Sequence, residues 1–260
     1  MEGRPTLSGS LLQVQMRHRV GGLALDIRFA LTQPWTVLFG PSGSGKTTVL
    51  RAIAGFVRPD DAAIRFGDCV LVERGAGVFV PAYARPVRSA AQTAMLFPQQ
   101  TVVANLLYGS GWSSRPEEER ALADDLLGLF RMKGYGQRRE SELSGGERQR
   151  VSVARAVFAA ATRDESTLLL LDEPFSGMDV ALRDQLLTEL REWLLKRGIT
   201  VLSVTHDVGE AFHLSAEVIR IADGKVAQQG PVEVVLAEER RRLLEQLRGE
   251  QISAVKQSPA

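Results

Sequence analysis

A glycine-rich loop between an apolar run and a helix constrains the fold of this chain more than any other feature. The segment GPSGSGKTT, residues 40–48, follows WTVLFG and precedes the helix-forming stretch KTTVLRAIAGF. It has the spacing G-x-x-x-x-G-K-[ST], with Gly40, Gly45, Lys46 and Thr47 at the fixed positions. The glycines let successive backbone N–H groups curl around a phosphate, and the helix N-terminus adds partial positive charge. The loop therefore predicts a P-loop NTPase core of the α/β class.

The side chains of this loop are expected to have different roles. Lys46 supplies a cation to the terminal phosphates, and the Thr47 hydroxyl is a ligand for Mg²⁺. The other positions are expected to surround the nucleotide: Gly40, Pro41, Ser42, Gly43, Ser44, Gly45 and Thr48. The alternative is a chance glycine turn before a helix, which the flanking strand and helix disfavour.

Two acidic residues end a second apolar run, TLLLLDEP. Asp172 at a strand tip suits Mg²⁺, and Glu173 beside it can polarise an attacking water. His206 follows a further apolar run and could position that water, although lone histidines are more often structural. Gln92 could bind Mg²⁺ through its carbonyl oxygen, or it could be a solvated loop residue. These residues alone leave both interpretations of His206 and Gln92 open.

A second glycine-rich turn, SELSGGERQR at residues 141–150, precedes a helical pattern. Ser144 and Glu147 have the spacing of a capping box, so the serine is predicted to cap a helix. Two consecutive glycines are costly to order, and chains tolerate them where the backbone must approach something closely. Gly145 and Gly146 are therefore also candidates for contact with a ligand, and the two interpretations are compatible.

The rest of the chain fits a single large unit with an insertion. Residues 1–91 and 162–230 are predicted to form an ATP-binding core with a mainly parallel sheet and an N-terminal antiparallel β subdomain. Residues 92–161 read as a helical subdomain, and residues 231–260 as one charged helix and a polar tail. The net charge of +1 gives no general attraction to nucleic acid, and the sequence shows no signal peptide or apolar run long enough to cross a membrane.

These motifs, in this order, resemble the nucleotide-binding subunits of ABC transporters. The resemblance covers the phosphate loop, the Q-loop glutamine Gln92, the signature LSGGERQR and the strand ending in Asp172 and Glu173. It further matches Asp179, in FSGMD, to the D-loop aspartate and His206 to the switch histidine. It implies a RecA-like ATPase fold with Glu173, His206 and Gln92 in catalysis, and Thr47, Gln92 and Asp172 around Mg²⁺.

The resemblance also implies partners and a location. Two copies of the chain would pair head to tail, so that Ser144, Gly145, Gly146 and Asp179 of one copy complete the ATP site of the other. The chain would sit at the cytoplasmic face of the inner membrane, bind permease subunits there and depend indirectly on a periplasmic solute-binding protein. The residues after Gln92, Leu96-Phe97-Pro98, would either border the permease groove or pack within the chain's own helical region.

More narrowly, the chain is similar to the ATPases of molybdate importers, through the phosphate-loop region and the segment QTAMLFPQQTVVANLLYG. Three departures are visible. Ala90-Ala91 replaces the usual bulky pair before Gln92, no aromatic residue near His18 is an obvious adenine-stacking group, and about 30 residues after Gly230 are too few for an oxyanion-binding domain. The competing classes are an ABC-type ATPase acting on nucleic acid or ribosomes and a P-loop kinase.

Overall fold

A computed structural model describes residues 11–110, 115–163 and 166–256 of the chain. Within these residues the strands form one sheet in the order β6-β5-β4-β1-β2-β11-β10-β3-β9-β8-β7. The strands are β1 (Leu12–Val20), β2 (Leu23–Leu31), β3 (Trp35–Phe39), β4 (Asp61–Phe66), β5 (Cys69–Glu73), β6 (Val78–Phe79), β7 (Val87–Ala90), β8 (Leu168–Asp172), β9 (Thr200–Thr205), β10 (Glu217–Ala222) and β11 (Lys225–Pro231).

The helices pack around this sheet, and short 3₁₀ turns connect some of the elements. Their bounds are α1 (Lys46–Ala54), α2 (Val102–Leu107), α3 (Pro116–Leu129), α4 (Gly145–Ala161), α5 (Val180–Leu195), α6 (Val208–His213), α7 (Val232–Val235) and α8 (Ala237–Lys256).

The sheet joins a parallel half to an antiparallel half. Strands β10, β3, β9, β8 and β7 are parallel, whereas β1 pairs antiparallel with both β2 and β4. The hairpin partner of β10, strand β11, bridges the halves through a parallel pair of Lys225 with Asp26. The predicted α/β fold with a mainly parallel core and an N-terminal antiparallel region is confirmed, and the two regions share a continuous sheet.

The central strands are buried on both faces, which explains their uninterrupted apolar sequences. In β8, Leu169 and Leu171 pack into a cluster with the helical region, while Leu168 and Leu170 pack into a second cluster with α1 and the antiparallel strands. The sheet thus separates two hydrophobic cores. Because parallel strands share a direction, the residues that follow β3, β8 and β9 meet at one edge, where the predicted site residues lie.

Two details differ from the sequence predictions. The segment after β7 stays irregular to Thr101, so the helical region begins at Val102 rather than near Gln92. Thr101 fixes that start, because its hydroxyl accepts a hydrogen bond from the Ala104 N–H at 3.2 Å. The C-terminal region holds two helices rather than one, because Leu236 leaves the helical conformation and is fully buried in the core. The last residues of the predicted polar tail, 257–260, lie outside the described residues.

Candidate functional site

The phosphate loop forms an open backbone cradle at the start of α1. Gly45 adopts φ +100°, and no side chain caps the N-terminus of α1. A Cβ at Gly40 would lie 2.2 Å from the Ile221 carbonyl oxygen, and one at Gly45 would lie 2.4 Å from a Leu25 methyl carbon. Packing of the loop against the β10 backbone therefore requires glycine at position 40, and the left-handed φ of Gly45 favours glycine there. The loop leaves first-turn N–H groups of α1 without a side-chain partner.

Two side chains of the loop are arranged for a negatively charged ligand. Ser44 is buried, and its hydroxyl has no hydrogen-bond partner among the described residues. The Lys46 ammonium is buried and donates to the Gly40 and Pro41 carbonyl oxygens at 2.7 and 2.9 Å. Burial lowers the pKa of Lys46, and the nearby Glu173 and Asp172 carboxylates oppose that shift. A phosphate would give the Ser44 hydroxyl the partner that it lacks among the described residues, and would give the Lys46 charge an anion to balance it.

Asp172 ends β8 beside the phosphate loop. Burial raises the pKa of the Asp172 carboxyl and the Glu173 charge adds to the rise, while a hydrogen bond from Thr47 and the Lys46 charge oppose it. The contact between Thr47 and Asp172 brings together two of the three predicted Mg²⁺ residues. The described residues contain no group of three His, Cys, Asp or Glu side chains able to hold a metal. Hydroxyl and carboxylate oxygens fit Mg²⁺, which needs further oxygens from phosphate or water.

Glu173 lies at the centre of the predicted catalytic group. Its carboxylate accepts a hydrogen bond from the Gln92 amide at 3.0 Å, and its other oxygen lies 3.0 Å from Nδ1 of His206. The backbone of Glu173 is left-handed, with φ +47°, and its N–H donates to the Val204 carbonyl. Such a conformation costs on the order of 1 kcal/mol and persists where surrounding structure holds it. The structure therefore brings all three predicted catalytic residues together.

The signature turn lies at the start of α4. Ser144 and Glu147 form the predicted capping box: the Ser144 hydroxyl accepts from the Glu147 N–H at 3.3 Å, and the Glu147 carboxylate accepts from the Ser144 N–H at 2.7 Å. A Cβ at Gly145 or Gly146 would find its nearest neighbour at 4.0 or 3.9 Å, in each case a flexible arginine end. Both glycines are exposed and neither has a positive φ. The folded chain itself therefore has room for side chains at these positions.

Asp179 has a role within the chain. It is the N-cap of α5, where its carboxylate accepts from the Leu182 N–H at 3.1 Å. Its side chain is exposed at this cap. The hydrogen bonds described for Ser144 and Asp179 stay within their own helix turns, so these two residues are not joined to the phosphate loop in a single chain.

The structure adds residues that the sequence patterns did not identify. Gln149, in α4, is buried and donates to the Ala91 carbonyl at 3.2 Å, which ties the signature helix to the segment carrying Gln92. Arg183, in α5, is buried and pairs with Asp207 next to His206. The sequence does indicate that Arg183 needs a partner. Arg183 begins the buried stripe of α5, and a charge within a buried stripe requires a partner; the other residues of the stripe are Leu186, Leu187, Leu190 and Leu194.

A buried carboxyl, Glu210, lies on α6 beside this group. Its Oε2 accepts from the Thr205 hydroxyl at 3.1 Å, whereas Oε1 has no partner among the described residues. Burial raises the pKa of Glu210 from 4.5 to about 7, against the opposing hydrogen bond from Thr205 and the Arg183 charge. The cavity that borders Glu173 and His206 also has Arg183 and Glu210 in its wall.

Comparisons of the sequence with family models and with individual proteins indicate the same family. A family model described as ABC transporter matches residues 26–176. The chain is 40% identical over 228 residues to "Molybdenum import ATP-binding protein ModC" of Mesorhizobium japonicum, covering 86% of this chain and 59% of that protein. It is 43% identical over 222 residues to "Fe(3+) ions import ATP-binding protein FbpC" of Streptomyces coelicolor, covering 83% and 60%. The chain thus spans about three fifths of the length of these curated relatives.

A solved structure shares the fold. The structure of cbiO1 from Clostridium perfringens, described as part of the ABC transporter complex cbiONQ, superposes with a TM-score of 0.73 at 22% identity, covering 96% of this chain and all of that one. No helix in the part of the chain that the structure describes is both long and apolar enough to span a membrane.

Proposed function

Since the chain belongs to the ABC transporter family, we propose that it is the ATP-hydrolysing subunit of an importer, which energises passage of a small solute through a separate membrane permease. The observation that carries this proposal is the convergence of Gln92 and His206 on Glu173, beside a phosphate cradle that contains Lys46 and Thr47. The relatives reported above are import proteins, and no observation favours an ATPase acting on nucleic acid or ribosomes.

The proposed reaction is transfer of the terminal phosphoryl group of ATP to water. The α1 N-terminus, Ser44 and Lys46 would bind the phosphates, while Thr47, Asp172 and Gln92 would hold Mg²⁺, which neutralises charge on the phosphate oxygens. Glu173 would accept the proton of the attacking water. The contacts of Glu173 with Gln92 and His206 fix the orientation of its carboxylate, so the chain's contribution is mostly positioning.

The second proposed partner is another copy of this chain. Gly145 and Gly146 are the first two residues of α4, and glycine loses more backbone freedom on folding than any other residue. No residue that the structure describes crowds either position. Close approach of an external group explains that cost. We therefore assign this turn, with Ser144 and Asp179, to the ATP held by a facing copy, where the α4 N-terminus favours a negatively charged phosphate.

The permease is proposed to contact an exposed apolar surface after the Gln92 segment. Met95 is 74% exposed, Tyr108 is 67% exposed and Phe97 is 37% exposed, with the Phe97 and Tyr108 ring centroids 4.3 Å apart. Buried Asn105 holds the backbone of Phe97 through two hydrogen bonds. Leu96 points into the protein's own core, so the two sequence interpretations of this segment apply to different residues. Binding there would keep the chain at the cytoplasmic face of the inner membrane.

For the solute we propose molybdate or a related oxyanion, delivered by a periplasmic binding protein. The relatives include import proteins for molybdenum and for Fe³⁺ at similar identity, as expected if selectivity resides in the permease and the binding protein rather than in the ATPase. The test is an uptake assay in cells that express this chain with its permease, comparing molybdate with Fe³⁺. Uptake of Fe³⁺ alone would reject the oxyanion while leaving the ATPase proposal intact.

The proposed ATPase is tested with Glu173→Gln, which keeps the size of the side chain and removes its basicity. We expect ATP binding to persist, turnover to fall roughly 10²–10⁴-fold, and an ATP-dependent dimer to accumulate in light scattering. Glu192→Gln, at an exposed position on α5, is the matched control and should behave like the unmodified protein. Hydrolysis by Glu173→Gln at the unmodified rate would contradict the assignment of Glu173 as the base.

A further inference from the structure

A polar cluster links α5 to the turn that carries His206. The Arg183 side chain is 9% exposed; its Nε donates to Asp184 at 3.0 Å and its Nη1 donates to Asp207 Oδ2. The planar guanidinium fork lets one side chain hold two acceptors in a fixed geometry, which a lysine ammonium does not. Arg183 therefore anchors Asp207, the neighbour of His206, to the body of α5.

The residues on both sides of His206 are fixed by the same cluster. Asp207 Oδ1 accepts from the Glu210 N–H at 2.9 Å and caps α6. The Asp207 N–H donates to the Thr205 hydroxyl at 3.0 Å, and that hydroxyl donates to Glu210 Oε2 at 3.1 Å. The backbone from Thr205 to Asp207 is thus held by a closed set of hydrogen bonds, and Arg183 supplies its connection to another helix.

His206 itself depends on this support. Its side chain is 58% exposed, and its described side-chain contact is the one with Glu173, whose side chain is 14% exposed. An exposed imidazole on a free backbone would sample several positions, since side-chain rotamers in water exchange freely. The position of the His206 ring against Glu173 is therefore set by the backbone at His206. That backbone is held in turn by Asp207 and by Arg183, the partner of Asp207.

We propose that Arg183 is a positioning residue for ATP hydrolysis, which acts through Asp207 to hold His206 against Glu173. The inference rests on the proposed function, because the benefit of the arrangement is the orientation of the catalytic carboxylate. It also connects two predicted site segments, since the Arg183 N–H donates to the Asp179 carbonyl at 2.9 Å in the first turn of α5. The position of His206 is thus tied to α5, the helix that Asp179 caps.

The kinetic test is a double-mutant cycle between Arg183→Met and His206→Ala. Arg183→Met should lower kcat roughly 10–100-fold with the KM for ATP within about twofold, because a small misplacement of catalytic groups slows chemistry more than binding. In the His206→Ala background the same substitution should change kcat by less than about threefold, because effects that share one route are not additive. Equal fold losses in both backgrounds would overturn the proposal.

A second variant tests the same route through Asp207, in case Arg183→Met fails to fold. A control variant removes a different ion pair of α5. Asp207→Asn retains a side-chain oxygen for the α6 cap but removes the charge that Arg183 binds, so it should reproduce the kinetic loss. Arg131→Met removes the exposed ion pair between Arg131 and Glu189 of α5. This control variant should leave kcat unchanged. If Asp207→Asn retains the unmodified kcat, the proposed route through Asp207 is wrong.

A spectroscopic readout separates this inference from the proposed function. In nucleotide-free protein labelled with ¹⁵N-histidine, Arg183→Met and Asp207→Asn should both shift the His206 ring resonances and leave those of His18, which lies 3.3 Å from Asp60, unchanged. Unmoved His206 resonances would reject the positioning role whether or not the protein hydrolyses ATP. Absence of ATP hydrolysis by the unmodified protein would reject the proposed function instead, and the shift of His206 would still establish the structural link.

Discussion

Replacing Glu210 with glutamine is expected to stabilise the protein above neutral pH and to leave its stability near pH 5 almost unchanged. Burial raises the pKa of Glu210 from 4.5 to about 7 in the folded protein. Between these values the native state binds a proton that the unfolded state has released. The stability contributed by the protonated carboxyl is fully present below 4.5 and is lost as the pH rises through about 7.

The magnitude follows from the difference between the two pKa values. Because a tenfold change in a proton-binding constant corresponds to about 1.36 kcal/mol, raising the Glu210 pKa from 4.5 to about 7 corresponds to about 3 kcal/mol in the free energy of unfolding. Glutamine resembles the neutral carboxyl and keeps an acceptor for the Thr205 hydroxyl. The variant should therefore differ from the unmodified protein by less than about 1 kcal/mol at pH 5 and be more stable by about 2–3 kcal/mol at pH 8.

Urea unfolding at pH 5, 6, 7 and 8, followed by circular dichroism, measures this difference directly. Glu192→Gln, at an exposed position of α5, should show no comparable trend with pH. If the Glu210→Gln variant is less stable at pH 8, attraction between an ionised Glu210 and Arg183 outweighs the cost of burial, and the reasoning fails. A stability difference that stays constant with pH would refute it equally.

Two further predictions concern the signature turn and the end of the phosphate-loop helix. Ser144→Arg should leave ATP binding by the isolated chain intact but prevent the ATP-dependent dimer, since Ser144 is exposed and its described side-chain hydrogen bond is to Glu147 of its own helix; loss of ATP binding by the monomer in calorimetry would contradict this. Arg85→Met should lower the free energy of unfolding by about 2–4 kcal/mol, because the fully buried guanidinium donates to the Ala52, Ile53 and Val80 carbonyls. Exposed Arg65→Met is its control in urea unfolding.

The features that were predictable from sequence depend on residues close together in the chain. The phosphate loop and the capping box of Ser144 with Glu147 were predicted correctly, because each is set by local backbone geometry. The apolar runs predicted β8 and β9 for the same reason: strands buried on both faces need apolar residues throughout. The residue types of the site were evident, but His206 and Gln92 needed family resemblance to be favoured over structural roles.

The features that sequence patterns did not predict depend on contacts between distant segments. The break at Leu236 follows from packing against the core, which no helical periodicity expresses. Arg183 is visible in the sequence as a charge within an apolar stripe, yet its partner Asp207 lies 24 residues further on. Pairing over such separations is decided by how β9 and α6 pack beside α5. The sequence therefore indicated that Arg183 needs a partner but did not identify Asp207 as that partner.

The sequence by itself determined that this chain has a P-loop core, a capped signature helix and a carboxylate pair after a buried strand, because local geometry and burial restrict the residues allowed at those places. Only the tertiary structure decided that Gln92 and His206 meet on Glu173, and that Arg183 supports them from another helix. Among the residues that the structure describes, none approaches Gly145 or Gly146 closely enough to require glycine. The physical reason is that a contact between distant segments depends on the positions of whole elements, which no local pattern encodes.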